Sequence, residues 1–170
     1  MIFLWVGGDQ TGPTFREWCE HDAAYAELGD KVVFLGTQPR TSRYFAAADA
    51  FALTSREDPF PRVVMEAMAH DTPVVAFEYG GGAPEALRDG CGVVVPYLNV
   101  REMARSLSQL AEAPRYRDEI RARCRERMES RYSWSAYIDK ILRILRDDLG
   151  CHFSKRPAVT AKAETARVKS

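Results

Sequence analysis

A parallel α/β fold is what this sequence predicts, and three observations carry the prediction. Five short apolar, β-rich runs recur along the chain: IFLWV (2–6), KVVFL (31–35), AFALT (50–54), PVVAF (73–77) and GVVVP (92–96). They are apolar at successive positions, the pattern of strands covered on both faces. Longer helical stretches separate them, as the right-handed crossovers of a parallel sheet require. Gly, Pro and acidic residues collect in the segments that follow strands and are sparse in those that precede them.

Each element follows from its local sequence. The opening run is apolar for only five residues after Met1, has no basic leader and meets Gly7-Gly8. It reads as a buried strand and not as a signal peptide. Helices are expected over 13–28, 40–48, 61–70, 84–88 and 99–112, with Pro13, Pro61 and Pro84 in first turns, where proline costs no helical hydrogen bond. Two further helices come without intervening strands. The last, from Ser133, places Trp134, Ile138, Ile141, Leu142, Leu145 and Leu149 on one stripe, which has to pack against something. Beyond Gly150 the chain loses periodicity and turns small, polar and basic, so residues 1–150 read as one domain and 151–170 as a disordered tail.

A chain of 170 residues fits one domain with a real core. Its 46% hydrophobic and 28% charged residues are those of a soluble globular protein. The formal charge is zero overall, with the tail at +4 and the body at −4. That leaves no broad basic surface for nucleic acid. Cys19, Cys91, Cys124 and Cys151 form no C-x-x-C pair and have no histidine at ligand spacing, which argues against zinc and against a disulfide framework. Reduced thiols fit a cytoplasmic chain, and no run is long enough to span a membrane.

In an open parallel sheet, ligands bind outside the carboxyl ends of the strands. The loops there are GGDQTGP, GTQPR, SREDPFP and EYGGGAPE. The third offers Asp58 on irregular backbone and Glu66 one turn into the next helix, after Pro61 and Arg62. Such carboxylates can accept hydrogen bonds from sugar hydroxyls. By spacing alone, a turn cap by Asp58 and an i, i+4 pair of Glu66 with Arg62 are the favoured roles. In the fourth loop Gly80, Gly81 and Gly82 would let backbone N–H groups approach a phosphate or sugar, or simply form a turn. His70, at a helix end, reads as a dipole contact. No G-x-G-x-x-G, P-loop or nucleophile motif occurs, which disfavours dinucleotide oxidoreductases, NTPases and triad hydrolases.

The ordered run "FLGTQPRTSRYFAAADAFALTSREDPFPRVVMEAMAHDTPVVAF", followed by "GGGAPEALRDGCGVVVP", resembles the carboxyl-terminal, donor-binding domain of a GT-B glycosyltransferase of family 4. The similarity runs from about Ile2 to Leu149, including the ending "YSWSAYIDKILRILRDDL". It implies a Rossmann-like parallel sheet flanked by helices and a retaining transferase that uses a nucleotide diphosphate sugar without a metal or other cofactor. The family's acid-x7-Glu pattern falls on Asp58 and Glu66, with Glu57 one residue out of register. By resemblance, Asp58 lies near the donor sugar and Glu66 meets the ribose. Ser55 lies in the donor loop, and backbone around Phe60, Pro61, Arg62 and Val63 faces the diphosphate. Gly81, Gly82 and Glu85 match a G-G-x-x-E loop beside the donor, with Gly80 just before it, and Gly36 and Thr37 shelter the base.

There are departures from the family pattern. Pro61 stands where glycine is common, Asp71 replaces a helix-ending glycine, and Asp58 is one methylene shorter than Glu. The Arg and Lys that grip the diphosphate, and the amino-terminal acceptor domain, have no counterpart in these residues. The resemblance therefore implies an acceptor domain in cis or in trans, an isolated chain with little activity, and a cytoplasmic location that a longer polypeptide would make peripheral to a membrane. A non-catalytic nucleotide-binding or docking module is the alternative.

Overall fold

The computed structural model describes residues 1–8 and 13–150, so Asp9 to Gly12 of the first loop and the expected tail lie outside the described residues. The expected elements occur in the expected order: β1 (Phe3–Val6), α1 (Pro13–Tyr25), β2 (Val32–Gly36), α2 (Ser42–Ala47), β3 (Phe51–Leu53), α3 (Arg62–Ala69), β4 (Val74–Phe77), α4 (Ala83–Ala86), β5 (Val93–Val95), α5 (Val100–Glu112), α6 (Pro114–Arg131) and α7 (Trp134–Arg143). A 3-10 turn, Arg88–Gly90, follows α4 and a π-helical turn, Ile144–Asp148, follows α7. Boundaries move by a few residues because hydrophobic period fixes an element more firmly than its ends. Residues 1–132 and residues 133 onward form separate compact units.

All strand pairing is parallel, as expected, but the five strands form two groups. β1 pairs with β2 in the register Phe3 to Val32, Leu4 to Val33 and Trp5 to Phe34, with an irregularity before Val6. β4 lies between β3 and β5, with Val75 opposite both Ala52 and Val93. No pairing joins the two groups among the described residues.

The core gathers on β4, whose four residues are all buried. Val64, Ala67 and Met68 of α3, Ala83 and Ala86 of α4, Met103 and Leu110 of α5, and Ile120 and Cys124 of α6 complete it. The helical period puts those residues on the sheet-facing stripes, and each large side chain so buried contributes roughly 1.5–3 kcal/mol. Thr72, buried at the start of β4, donates its hydroxyl to the Phe45 carbonyl at 2.7 Å and ties α2 to this core. Phe45 meets Phe51 edge-on and stacks on the His70 ring, so His70 has a packing role beside its place at the end of α3. Asp71 takes the left-handed conformation at φ 56°, as its place after that helix requires, and its carboxylate pairs with Arg125.

One expectation fails. β1 is not buried: Phe3, Leu4 and Trp5 are all about half exposed. The strand has β2 along one edge and no described strand along the other, so its apolar sequence meets too little protein to cover it.

In the second unit, the Ser133 hydroxyl caps α7 by accepting from the Ala136 N–H at 3.3 Å. Trp134 and Tyr137 pack ring against ring one turn apart. Of the expected stripe, Ile138, Ile141, Leu142 and Leu145 are half-buried, while Trp134 and Leu149 are exposed.

Candidate functional site

The third and fourth loops are stitched together. After β3 ends at Leu53, the chain runs irregularly to Pro61, whose extended conformation (φ −67°, ψ 109°) leads into α3. There the Asp58 N–H donates to the Gly80 carbonyl at 2.9 Å and the Gly82 N–H donates to the Asp58 carbonyl at 3.2 Å, forming a parallel bridge between Asp58 and Gly81. This contact explains the glycine triplet. A Cβ on Gly81, at φ 114°, would overlap the Asp58 carbonyl oxygen. One on Gly82 would lie 2.5 Å from the Pro59 oxygen and 2.6 Å from the Phe60 ring. Gly80 faces the Ser55 and Phe77 carbonyls, each 3.3 Å from where its Cβ would be.

The fold gives these glycines a packing reason of their own. Their bare backbone admits the neighbouring loop, and the Gly82 N–H is taken by Asp58. Gly81 alone of the three is exposed, with its N–H lacking a partner among the described residues.

The two carboxylates are not consumed by the fold. Asp58 is half-buried and Glu66 exposed, and neither side chain makes a hydrogen bond or ion pair among the described residues. The cap and the Arg62 pair that spacing favours do not form: Pro61 occupies the N-cap of α3 with no side-chain hydrogen bond. At the amino end of that helix the Val64 N–H donates to the Pro61 carbonyl at 3.1 Å, and among the described residues the N–H groups of Arg62 and Val63 have no acceptor. Such orphan donors carry the positive end of the helix dipole.

Glu85 points an exposed side chain from the first turn of α4, and its carbonyl is held from below. Buried Arg127 of α6 donates Nη2 to that carbonyl at 2.9 Å and Nη1 to Asp89 Oδ2 at 2.7 Å, with its guanidinium over the Tyr132 ring at 5.9 Å. Across the site, Tyr97 packs on Phe77 and donates its hydroxyl to the Arg56 carbonyl at 3.2 Å, bracing the third loop from the one after β5. Sequence reasoning missed both. Tyr97 directly follows a strand and so lies on the ligand side, which is a usable signal; Arg127 sits among many arginines of α6 and offers none.

Gly36 and Thr37 fall in a separate cluster. Gly36, left-handed at φ 65°, accepts the Gly7 N–H at 2.9 Å. The Thr37 hydroxyl lies 2.5 Å from where a Cβ on Gly8 would be. These two belong with β1 and β2, whereas Ser55, Asp58, Phe60 to Val63, Glu66, Gly80 to Gly82 and Glu85 belong with β3 and β4. No hydrogen bond or ring contact joins the clusters among the described residues.

The β3–β4 cluster thus sets unengaged carboxylates beside unengaged backbone N–H donors. That combination suits a ligand carrying both hydroxyl donors and an anionic group. Among the described residues no group of His, Cys, Asp and Glu could hold a metal ion, and no helix is long and apolar enough to cross a membrane.

Residues 1–113 match the family described as glycosyl transferases group 1. The D-inositol 3-phosphate glycosyltransferase of Thermobifida fusca is 33% identical over 149 residues, 85% of this chain and 34% of that protein. The lipopolysaccharide core biosynthesis glycosyltransferase LpsE of Rhizobium meliloti is 28% identical over 145 residues, 85% of this chain and 42% of that protein. Among solved structures, Anabaena HepE in complex with UDP superposes with a TM-score of 0.77 at 26% identity, covering 85% of this chain and 40% of that one. A second HepE structure contains UDP-glucose and gives a TM-score of 0.76. The chain thus spans less than half the length of these relatives, and it belongs to the glycosyl transferases group 1 family, as the carboxyl-terminal half of a GT-B fold.

Proposed function

We propose that this chain is the donor-binding half of a retaining glycosyltransferase that moves a sugar from a nucleotide diphosphate sugar to an acceptor held by another domain. The observation that carries the reading is the pair of carboxylates left unengaged by the fold, Asp58 just before the open amino terminus of α3 and Glu66 one turn into it. The UDP and UDP-glucose complexes of HepE, similar over 85% of this chain, support the ligand class.

Asp58 accepts hydrogen bonds near the donor sugar and Glu66 from the ribose. The N–H groups of Arg62 and Val63, with the Arg62 side chain, stabilise the negative charge that gathers on the diphosphate as the sugar–oxygen bond breaks, and they do so without a metal. Gly81 and Glu85 form the second wall of the sugar site, and Gly36 and Thr37 approach the base. The sugar leaves for the acceptor with retention at its reacting carbon. The 170 residues alone bind donor but turn over little without an acceptor domain.

Calorimetric titration with UDP-glucose, UDP, GDP and ADP, on the unaltered chain and on Asp58→Ala and Glu66→Ala, tests the reading. Binding of at least one ligand, weakened about tenfold or more in both variants, is expected. Nucleotide binding untouched by either substitution would move the site elsewhere. The second reading is a nucleotide-binding or docking module without turnover. Transfer assays with an added acceptor domain distinguish the two.

A further inference from the structure

The guanidinium beneath α4 is a costly way to fill that space. The Arg127 side chain is only 7% exposed, and its Nε is buried with no hydrogen-bond partner among the described residues. A buried arginine with a donor left over carries a desolvation cost that an apolar side chain of similar volume does not. Asp89 offsets little of it, since its carboxylate is 80% exposed and water screens the pair. Stability alone therefore does not account for this residue.

Its partners instead fix a position. α4 has four residues, too few for a helix to hold by itself. Buried Ala83 and Ala86 fasten it to the core, and its two ends are tied to different parts of the chain. At the amino end the Gly82 N–H donates to the Asp58 carbonyl at 3.2 Å. At the carboxyl end Arg127 Nη2 donates to the Glu85 carbonyl at 2.9 Å, where a cation also complements the helix dipole.

The 3-10 turn that follows is seated on the same helix, α6. Asp89, left-handed at φ 61°, accepts from Arg127 Nη1 at 2.7 Å. Gly90 lies so close to α6 that a Cβ there would be 2.6 Å from Arg123 Nη1. The Tyr132 ring, 5.9 Å from the Arg127 guanidinium, covers it. Glu85 thus sits on backbone pinned at both ends, while its own carboxylate is exposed and makes no hydrogen bond or ion pair among the described residues.

We propose that Arg127 is a positioning residue for donor selectivity. By holding the Glu85 carbonyl and Asp89 together it sets the direction of the Glu85 carboxylate, and with it the preference for a nucleotide sugar over the bare nucleotide. The role rests on this rim being a donor site. Arg127 acts through Glu85 and touches no ligand itself. It makes no hydrogen bond to the amino terminus of α3, so the nucleotide end of the ligand is left alone.

Calorimetric titration with UDP, GDP and ADP and with their glucose conjugates tests this, on the unaltered chain, Arg127→Met, Arg127→Lys, Glu85→Ala and the double variant of Arg127→Met with Glu85→Ala. Arg127→Met should weaken the glucose conjugate about tenfold, as the loss of one charge-assisted hydrogen bond would, and the matching nucleotide by less than about twofold. Arg127→Lys keeps the charge and loses the fork, so it should fall between. In the Glu85→Ala background Arg127→Met should cost nothing more, because nothing is left to position. Should Arg127→Met show no cooperative unfolding in urea, Arg127→Lys carries the same two comparisons. Equal weakening of nucleotide and conjugate, or additive losses in the double variant, would make Arg127 a packing residue and overturn the proposal. Binding of none of these ligands by the unaltered chain would overturn the donor site itself, and the proposal with it.

Discussion

Asp58 serves two roles through different atoms. Its backbone N–H and carbonyl join the third and fourth loops, while its side chain has no partner among the described residues. Asp58→Ala should therefore leave stability within about 0.5 kcal/mol, the range of substitutions that break no buried contact. In an enzyme completed with an acceptor domain it should reduce turnover far more than Glu57→Ala. Matched denaturation and transfer assays check both halves, and equal losses from Asp58 and Glu57 would contradict the assignment. Gly81→Ala is the converse case: its Cβ meets the Asp58 carbonyl oxygen at φ 114°, so a loss of about 1–3 kcal/mol is expected in urea unfolding. The presence of glycines on the ligand side is readable from sequence. That they make room for another loop is not, because the atoms of that loop, from Ser55 to Phe60, lie more than twenty residues away in the chain.

At the scale of elements, hydrophobic period located every strand and the first five helices to within a few residues, since those runs carry their own pattern, whereas α6 was expected only as a helix without bounds. Pairing is another matter: that β1 with β2 and β3 with β4 and β5 form separate groups among the described residues is not written in any one strand's own pattern. The packing of α6 against the 3-10 turn was likewise unreadable, and it holds two thiols. Cys124 donates its thiol to the Cys91 carbonyl at 2.7 Å, and Cys91 to the Arg123 carbonyl at 3.4 Å. Burial pushes the Cys124 thiol from 9.0 up to about 12, and raises Cys91 as well. Below pH 9 both folded and unfolded chains keep the Cys124 proton, so nothing is lost. As pH rises from 9 toward 12 the unfolded chain ionises first, and stability falls by at most about 1.4 kcal/mol per pH unit from this group. Urea midpoints should drop over pH 9–11, with a smaller drop in Cys124→Ala. Alkylation mapped by mass spectrometry at pH 8 should label half-exposed Cys19 while leaving Cys91 and Cys124 unreacted until the protein unfolds.

For the whole molecule, the body's charge of −4 makes a localised anion site at one helix terminus more telling than a broad basic surface would be. The site draws on the ends of β3 and β4, one α-helix terminus and a brace from Arg127, all attached to the buried β4 core. This rim is proposed to take a nucleotide diphosphate sugar. Titration of the isotopically labelled 170-residue chain with UDP-glucose, followed residue by residue by NMR, tests it most directly. Saturating shift changes at Asp58, Phe60, Arg62, Val63, Gly81 and Glu85 are the predicted result, with α5 and the solvent face of α6 unmoved. No change on that rim at millimolar ligand, for UDP-glucose and for GDP and ADP sugars alike, would show that it is not the donor site.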